Sequence, residues 1–212
     1  MIKINKDHFE EKRSSIKALN LQYDKTYLTF QDVLNKGNKF SSMEKIQDIY
    51  AYTKFMINLN PKSKRLEPQG KREGIMFIGT NPSERSQLKD LWKDPYGIYF
   101  GEFLREAGID PLEVWVTNLY KYPTENNRPL TLEEISDGKL ELLYEIQYVN
   151  PKIIILLGKQ AMEVFNAKLY EFTEYKKYKT LGMLHPSYVN RMQGQIKEEF
   201  IKQLKKIKLW LQ

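Results

Sequence analysis

Four short apolar runs in this chain each lead into residues able to do chemistry. Ile75-Met76-Phe77-Ile78 leads into Gly79-Thr80-Asn81-Pro82-Ser83, and Val114-Trp115-Val116-Thr117 leads into Asn118 and then Lys121. Ile153-Ile154-Ile155-Leu156-Leu157 ends at Gly158, and the weaker run Leu181-Gly182-Met183-Leu184 leads into His185-Pro186-Ser187. Residues just past a strand end have no further ladder bonds to make, so polar side chains with functional work collect there. The set holds two carboxamides, one imidazole and several hydroxyls, with Asp94 and Glu102 not far off. It has no close carboxylate pair, no phosphate-loop lysine motif and no Gly-x-Ser-x-Gly elbow. Such groups suit the orientation of a neutral heteroaromatic ring and a water. Each has a plain structural reading too: Asn81 as a turn cap, Asn118 as a loop hydrogen-bonder, His185 as a satisfied core histidine, Phe100 as core.

These residues need strands and helices to hold them. The apolar runs read as buried parallel strands. Between them, helical patterns cover about 100–108, 131–149 and 159–166, and Thr131-Leu132-Glu133-Glu134 carries a capping-box signature. Ile196, Phe200, Leu204, Ile207 and Leu211 share one face of a last helix. Alternating strands and helices predict a three-layer α/β/α fold on a central, mainly parallel four-stranded sheet. Right-handed crossovers then bring the strand C-termini to one edge. Residues 1–60 read as a helical extension packed on the core, with Ile46, Ile49, Tyr50, Thr53 and Ile57 on one face and Ser41 to Glu44 as its start signal. Residues 60–73 read as a linker, and 74–212 as the α/β domain.

The 212 residues are 41% apolar and 13% aromatic, enough for a core, and contain no cysteine and two histidines. Disulfides, cysteine-ligated metals and a thiol nucleophile are thereby excluded. No stretch reaches the length of a membrane span and the first residues lack a secretory apolar core, so a cytoplasmic protein is expected; a monomer is expected as well. The formal charge is +7, and the excess lies from Lys176 onward, where nine basic residues face two acidic ones. This tail either solvates a helix face or lines a phosphate backbone, with Lys176, Lys177, Lys179 and Arg191 as the candidate contacts.

Taken in order, the motifs resemble the uracil-DNA glycosylase superfamily over about residues 74–195. Gly79-Thr80-Asn81-Pro82-Ser83 resembles the Gly-X-Asn-Pro first motif of the mismatch-specific and single-strand-selective branches. Gly97-Ile98-Tyr99-Phe100-Gly101 resembles the segment that supplies a stacking aromatic. Val116 to Pro123 with Asn127-Arg128, and the Pro151 to Ala161 run, resemble the thermostable iron–sulfur branch, and His185-Pro186-Ser187-Tyr188 with Arg191 resembles its closing motif. The resemblance implies that Asn81 holds the attacking water and that His185 donates to the base O2. It implies that Phe100 stacks on a flipped base beside Gly79, and that Asn118 reads the pyrimidine edge. Ser187 and Arg191, with Lys121 and Arg128, would meet the DNA. The implied enzyme is a monofunctional, cofactor-free glycosylase that leaves an abasic site, although Lys121 stands near the second strand end.

The chain departs from that branch in its lack of cysteines: Tyr122 and about Gly138 stand where two would be expected. Ser86 falls about where a carboxylate would restrict room near C5 of the base. Its small side chain hints at a pocket for a 5-modified pyrimidine. Uracil or a modified pyrimidine in repair, a bulky 5-modified cytosine in phage defence, and a non-catalytic DNA-binding relative are the readings this leaves.

Overall fold

The computed structural model describes residues 69–83 and 91–211. The expected helical extension over 1–60 and the position of Ser86 lie outside the described residues. The described chain runs β1 (Gln69–Gly70), β2 (Ile75–Gly79), α1 (Pro95–Glu106), β3 (Val114–Asn118), α2 (Leu132–Val149), β4 (Ile153–Leu157), α3 (Lys159–Val164), β5 (Phe172–Tyr175), β6 (Tyr178–Met183), α4 (Pro186–Met192) and α5 (Gly194–Leu211).

One sheet of six strands takes the order β1-β3-β2-β4-β6-β5. The four strands read from the sequence form its parallel centre. The two further strands are antiparallel edges, β1 on β3 and β5 on β6. They escaped the sequence reading for different reasons. β1 is only two residues long. β5 alternates exposed and half-buried residues with no apolar run, as an edge strand does.

β2 and β4 are buried along their whole length, which is why they read as unbroken apolar runs. Alternate side chains feed two cores. Phe77, Val116, Ile155 and Leu181 point toward α1, α4 and α5, packing with Phe100, Val189 and Phe200. Met76, Ile78, Ile154 and Leu156 face α2 and α3 and pack with Leu142, Ile146 and Phe165. The three-layer α/β/α expectation is met in this way.

Helix boundaries follow caps. α1 starts at Pro95, five residues before its expected start, because Asp94 caps it by accepting from the Tyr96 N–H at 2.9 Å. α2 has its full capping box: the Thr131 hydroxyl accepts from Glu134 N, and the Glu134 carboxylate accepts from Thr131 N. It closes at Asn150 in the left-handed conformation, φ 48°.

The parallel strands taken alone, β3-β2-β4-β6, reverse direction at β2/β4. α1 leaves β2 toward one face and α3 leaves β4 toward the other. In open α/β sheets a crevice forms at such a switch, outside the strand C-termini. The residues after β2 and β4, Thr80 to Pro82 and Gly158, flank it.

α2 also lies close on the loop that follows β3. A Cβ built on Gly138 would sit 2.3 Å from the Leu119 carbonyl oxygen, a backbone atom that cannot yield cheaply. Gly138→Ala should therefore destabilise the fold by about 1–3 kcal/mol. Denaturant unfolding would read this as a lower midpoint, and an unchanged midpoint would show that the helix has room to move away.

Candidate active site

The strand register builds the site edge. Gly79 pairs with Asn118 across β2 and β3, and β4 and β6 end level at Leu157 and Met183. Beyond the ladder, Leu119 N donates to Gly79 O at 2.8 Å and Tyr120 N donates to Thr80 O at 2.9 Å. The loops after β2 and β3 are thus laced together. Gly79 serves space rather than contact. A Cβ there would come 2.6 Å from Asn118 Oδ1, so the missing side chain is what lets the Asn118 carboxamide lie across the strand end.

Asn81 follows two residues later and is half-buried. Its Nδ2 donates to Pro82 O at 3.2 Å and to Thr124 Oγ1 at 3.3 Å. His185 caps α4: its Nδ1 accepts from Ser187 N at 3.3 Å. An Nδ1 that accepts leaves the ring proton on Nε2, so His185 presents an N–H donor on its other side. Burial, helped by the nearby Arg191 charge, pulls its pKa down to about 4. At neutral pH it is an uncharged donor.

The aromatic at this edge differs from the expected one. Phe100 is 0% exposed, enclosed by Phe77, Trp92 and Tyr96 with ring centroids 5.2, 6.3 and 5.7 Å away. It is a core residue with no face open to a base, a correction to the stacking role. One helical turn earlier, half-buried Tyr96 lies against the imidazole of His185, centroids 5.5 Å apart and rings inclined by 32°. Burial holds its hydroxyl proton well above the usual tyrosine range, with the neighbouring Tyr99 and Asp94 adding to this. The Asp94-Pro95 helix start was the signal that would have placed Tyr96 on the first turn.

Ser187 Oγ and Tyr99 Oη share a hydrogen bond of 2.6 Å, which ties α4 to α1. Arg191 is exposed on the last turn of α4. Of the proposed DNA contacts, Lys121 needs correction. It is 1% exposed, and its Nζ pairs with Glu145 Oε2 at 2.7 Å and donates to Thr117 Oγ1 at 2.8 Å and to the Asn118 carbonyl at 2.5 Å. Glu145 further accepts from Trp115 Nε1 at 2.5 Å and Thr117 Oγ1 at 3.0 Å. Lys121 is an interior brace for the end of β3. Buried and ion-paired, it is neither a phosphate contact nor a free amine nucleophile.

Arg128 forms a two-pronged pair with Glu134, both contacts 2.8 Å, and so serves first to hold its own loop. Lys176, Lys177 and Lys179 are also corrected. Lys176 and Lys177 form the β5–β6 turn, and Lys179 pairs with Ile153, the first residue of β4. They lie at the opposite end of the sheet from His185, which follows Lys177 only after roughly 25 Å of extended chain. Lys179 packs over Phe172 and Trp210, 5.2 and 4.9 Å from their ring centroids. A common phosphate track through 176–191 therefore does not hold. Strand direction, which charge counting ignores, separates these lysines from Arg191.

An iron–sulfur cluster does not fit this chain. It has no cysteine, and Tyr122 is a core residue packed with Tyr120, Leu130 and Leu142, while Gly138 abuts backbone. Among the described residues no group of His, Asp or Glu is arranged to hold a metal ion, and no helix is long and apolar enough to cross a membrane.

Two outcomes follow from these environments. Lys121→Met leaves Glu145 buried without its cation and should cost about 3–5 kcal/mol in unfolding free energy; a loss of DNA affinity with stability intact would instead restore Lys121 to the surface. His185 has a folded pKa below its unfolded value near 6.5, so the unfolded chain takes up the proton first on acidification. Its contribution leaves stability untouched above about pH 6.5 and erodes it as pH falls toward 4. NMR titration of the imidazole should show a midpoint well below 6.5; a midpoint at or above 6.5 would contradict the buried neutral form.

Comparison with known proteins identifies the family. The model of the uracil DNA glycosylase superfamily matches residues 68–208. The chain is 29% identical over 149 residues to the Type-4 uracil-DNA glycosylase of Archaeoglobus fulgidus, covering 63% of this chain and 74% of that protein. It is 32% identical over 130 residues to the Type-4 uracil-DNA glycosylase of Thermotoga maritima, covering 55% and 66%. It is also 33% identical over 159 residues to a DNA polymerase of Bacillus phage SP01, covering 68% of this chain but 16% of the polymerase. The chain belongs to the uracil DNA glycosylase superfamily and, with it, to the DNA glycosylases, enzymes that hydrolyse an N-glycosidic bond.

Proposed function

We propose that this chain excises uracil from DNA, leaving an abasic site, with Asn81 and His185 as catalytic residues and Tyr96 and Asn118 as the base-binding pair. What carries the reading is the state of His185: a neutral imidazole with Nδ1 occupied, its Nε2–H unspent, beside the half-buried Tyr96 ring. The substrate class comes from the Type-4 relatives, whose names assign them uracil.

A base within a duplex cannot be attacked, so it is turned out of the stack at a cost of a few kcal/mol. An aromatic face and a carboxamide on the pyrimidine edge offset that cost. Tyr96 supplies the first and Asn118 the second. Water then adds to C1′ of the sugar as the C1′–N1 bond breaks; the bonding electrons leave on the base, and the proton the water sheds ends on the departed base, so the products are the abasic hemiacetal and the neutral base. The negative charge reaches O2, where the His185 Nε2–H meets it. A fixed neutral donor is well suited to this, because it stabilises charge that appears only as the bond breaks. Asn81 holds the water, which needs direction more than a strong base. Arg191, exposed beside His185, and Ser187 on the same helix are suited to the DNA strand that carries the extruded base. Arg128, partly exposed, can reach a phosphate only while keeping Glu134.

Oligonucleotides carrying uracil, mismatched thymine, 5-hydroxymethyluracil, and plain or glucosylated 5-hydroxymethylcytosine test the reading after alkali treatment. Uracil-containing strands should break, and Asn81→Ala and His185→Ala should each slow excision by about 10²-fold or more. Cleavage only at 5-modified bases would move the substrate to that class, the one the small Ser86 points to. Binding with no excision of any base would overturn the reading.

A further inference from the structure

We propose that Thr124 is the positioning residue for Asn81, fixing which end of its carboxamide faces the attacking water; the proposal rests on the glycosylase reading above. Thr124 is 3% exposed and follows β3 by six residues. Its hydroxyl donates to the Arg128 carbonyl oxygen at 2.7 Å. A carbonyl can only accept, so the hydroxyl hydrogen is spent there. Thr124 Oγ1 thus offers only lone pairs to Asn81, whose Nδ2 lies 3.3 Å away. The other partner of Nδ2, the Pro82 carbonyl at 3.2 Å, is likewise an obligate acceptor.

Two acceptors on one side of the carboxamide decide its orientation. The NH2 end must face them, because a turn by 180° would set Oδ1 against two sets of lone pairs. Oδ1 is left facing the other way, with no partner among the described residues. An amide oxygen is the end that can accept a hydrogen from water and so keep the water's own lone pair free for C1′. The reversed amide would donate to the water and occupy that lone pair.

The acceptor is itself held in place. Arg128 N donates to Glu125 O at 3.1 Å, and the Arg128 guanidinium is clamped by Glu134, which belongs to the capping box of α2. A continuous line of polar contacts therefore runs from the start of α2 through Arg128 and Thr124 to the residue that directs the water. Arg128 enters it through its backbone as well as its charge. Nothing in the sequence marks Thr124, because its role depends on a loop folding back 43 residues along the chain onto Asn81.

Thr124→Val keeps the shape and removes the hydroxyl, whereas Thr124→Ser keeps the hydroxyl. Single-turnover excision on the preferred base of the panel should slow about ten-fold in Thr124→Val, with KM little changed, and Thr124→Ser should recover most of the rate. In an Asn81→Ala background, Thr124→Val should cause no further loss. The Asn81 side-chain NH2 signal, assigned in 1H–15N spectra by its disappearance in Asn81→Ala, should shift in Thr124→Val and hold in Thr124→Ser. Equal losses in both backgrounds, a Thr124→Ser protein as slow as Thr124→Val, or an unmoved NH2 signal in Thr124→Val would overturn the proposal. If the unaltered protein excises no base, the glycosylase reading falls, while the NH2 signal still decides the role of Thr124.

Discussion

The parallel ladder of β3, β2, β4 and β6 is the constraint on which the remaining geometry rests. Its registers bring Gly79, Asn118, Leu157 and Met183 to one edge, so that residues from four separate stretches of chain meet. Parallel strands must be joined by crossovers, and these place helices on both faces. The strands are buried on both sides for that reason, and the apolar runs that announce them are a consequence of the same burial. The ladder also excludes: Lys176 and Lys177 sit at the wrong end of β6 because every central strand runs the same way.

At the site edge stand fixed neutral groups. His185 is held uncharged by burial and by Arg191, with its proton placed by the Ser187 N–H. Asn81 is held by two acceptors. Such groups cost no reorganisation when charge develops, and this is where preorganised sites gain over water. The charged pair in the interior, Lys121 with Glu145, lies one step back and braces the end of β3 through the Asn118 carbonyl. Its burial makes it a structural commitment, since either partner left alone would be an uncompensated charge.

Local signals identified the central strands, the capping box of α2 and the amphipathic α5, because each depends on residues close together in sequence. The placement of Asn81, Asn118 and His185 at strand ends is legible for the same reason, as polar residues at or just past the ends of apolar runs. The sequence does not separate an enclosed Phe100 from an open one, because a glycine-flanked aromatic looks alike in both cases. Packing by Phe77 and Trp92 settles that, and Tyr96 takes the edge. A lysine near a strand end is usually solvated, which is why the sequence points Lys121 outward; here Glu145, 24 residues on, takes it inside.

By itself, then, the amino-acid sequence determined the alternation of strands and helices, the absence of thiol chemistry, and the roster of carboxamides and imidazole at the strand ends. The alternation is a short-range period that burial and backbone geometry impose on the chain, and the other two are read directly from composition and from position at the ends of apolar runs. Only the tertiary structure decided which aromatic borders His185, which basic residues stand near it, and which way the Asn81 amide is turned. Those outcomes rest on contacts between residues such as Tyr96 and His185, or Asn81 and Thr124, that are far apart in the chain and whose meeting no local pattern encodes.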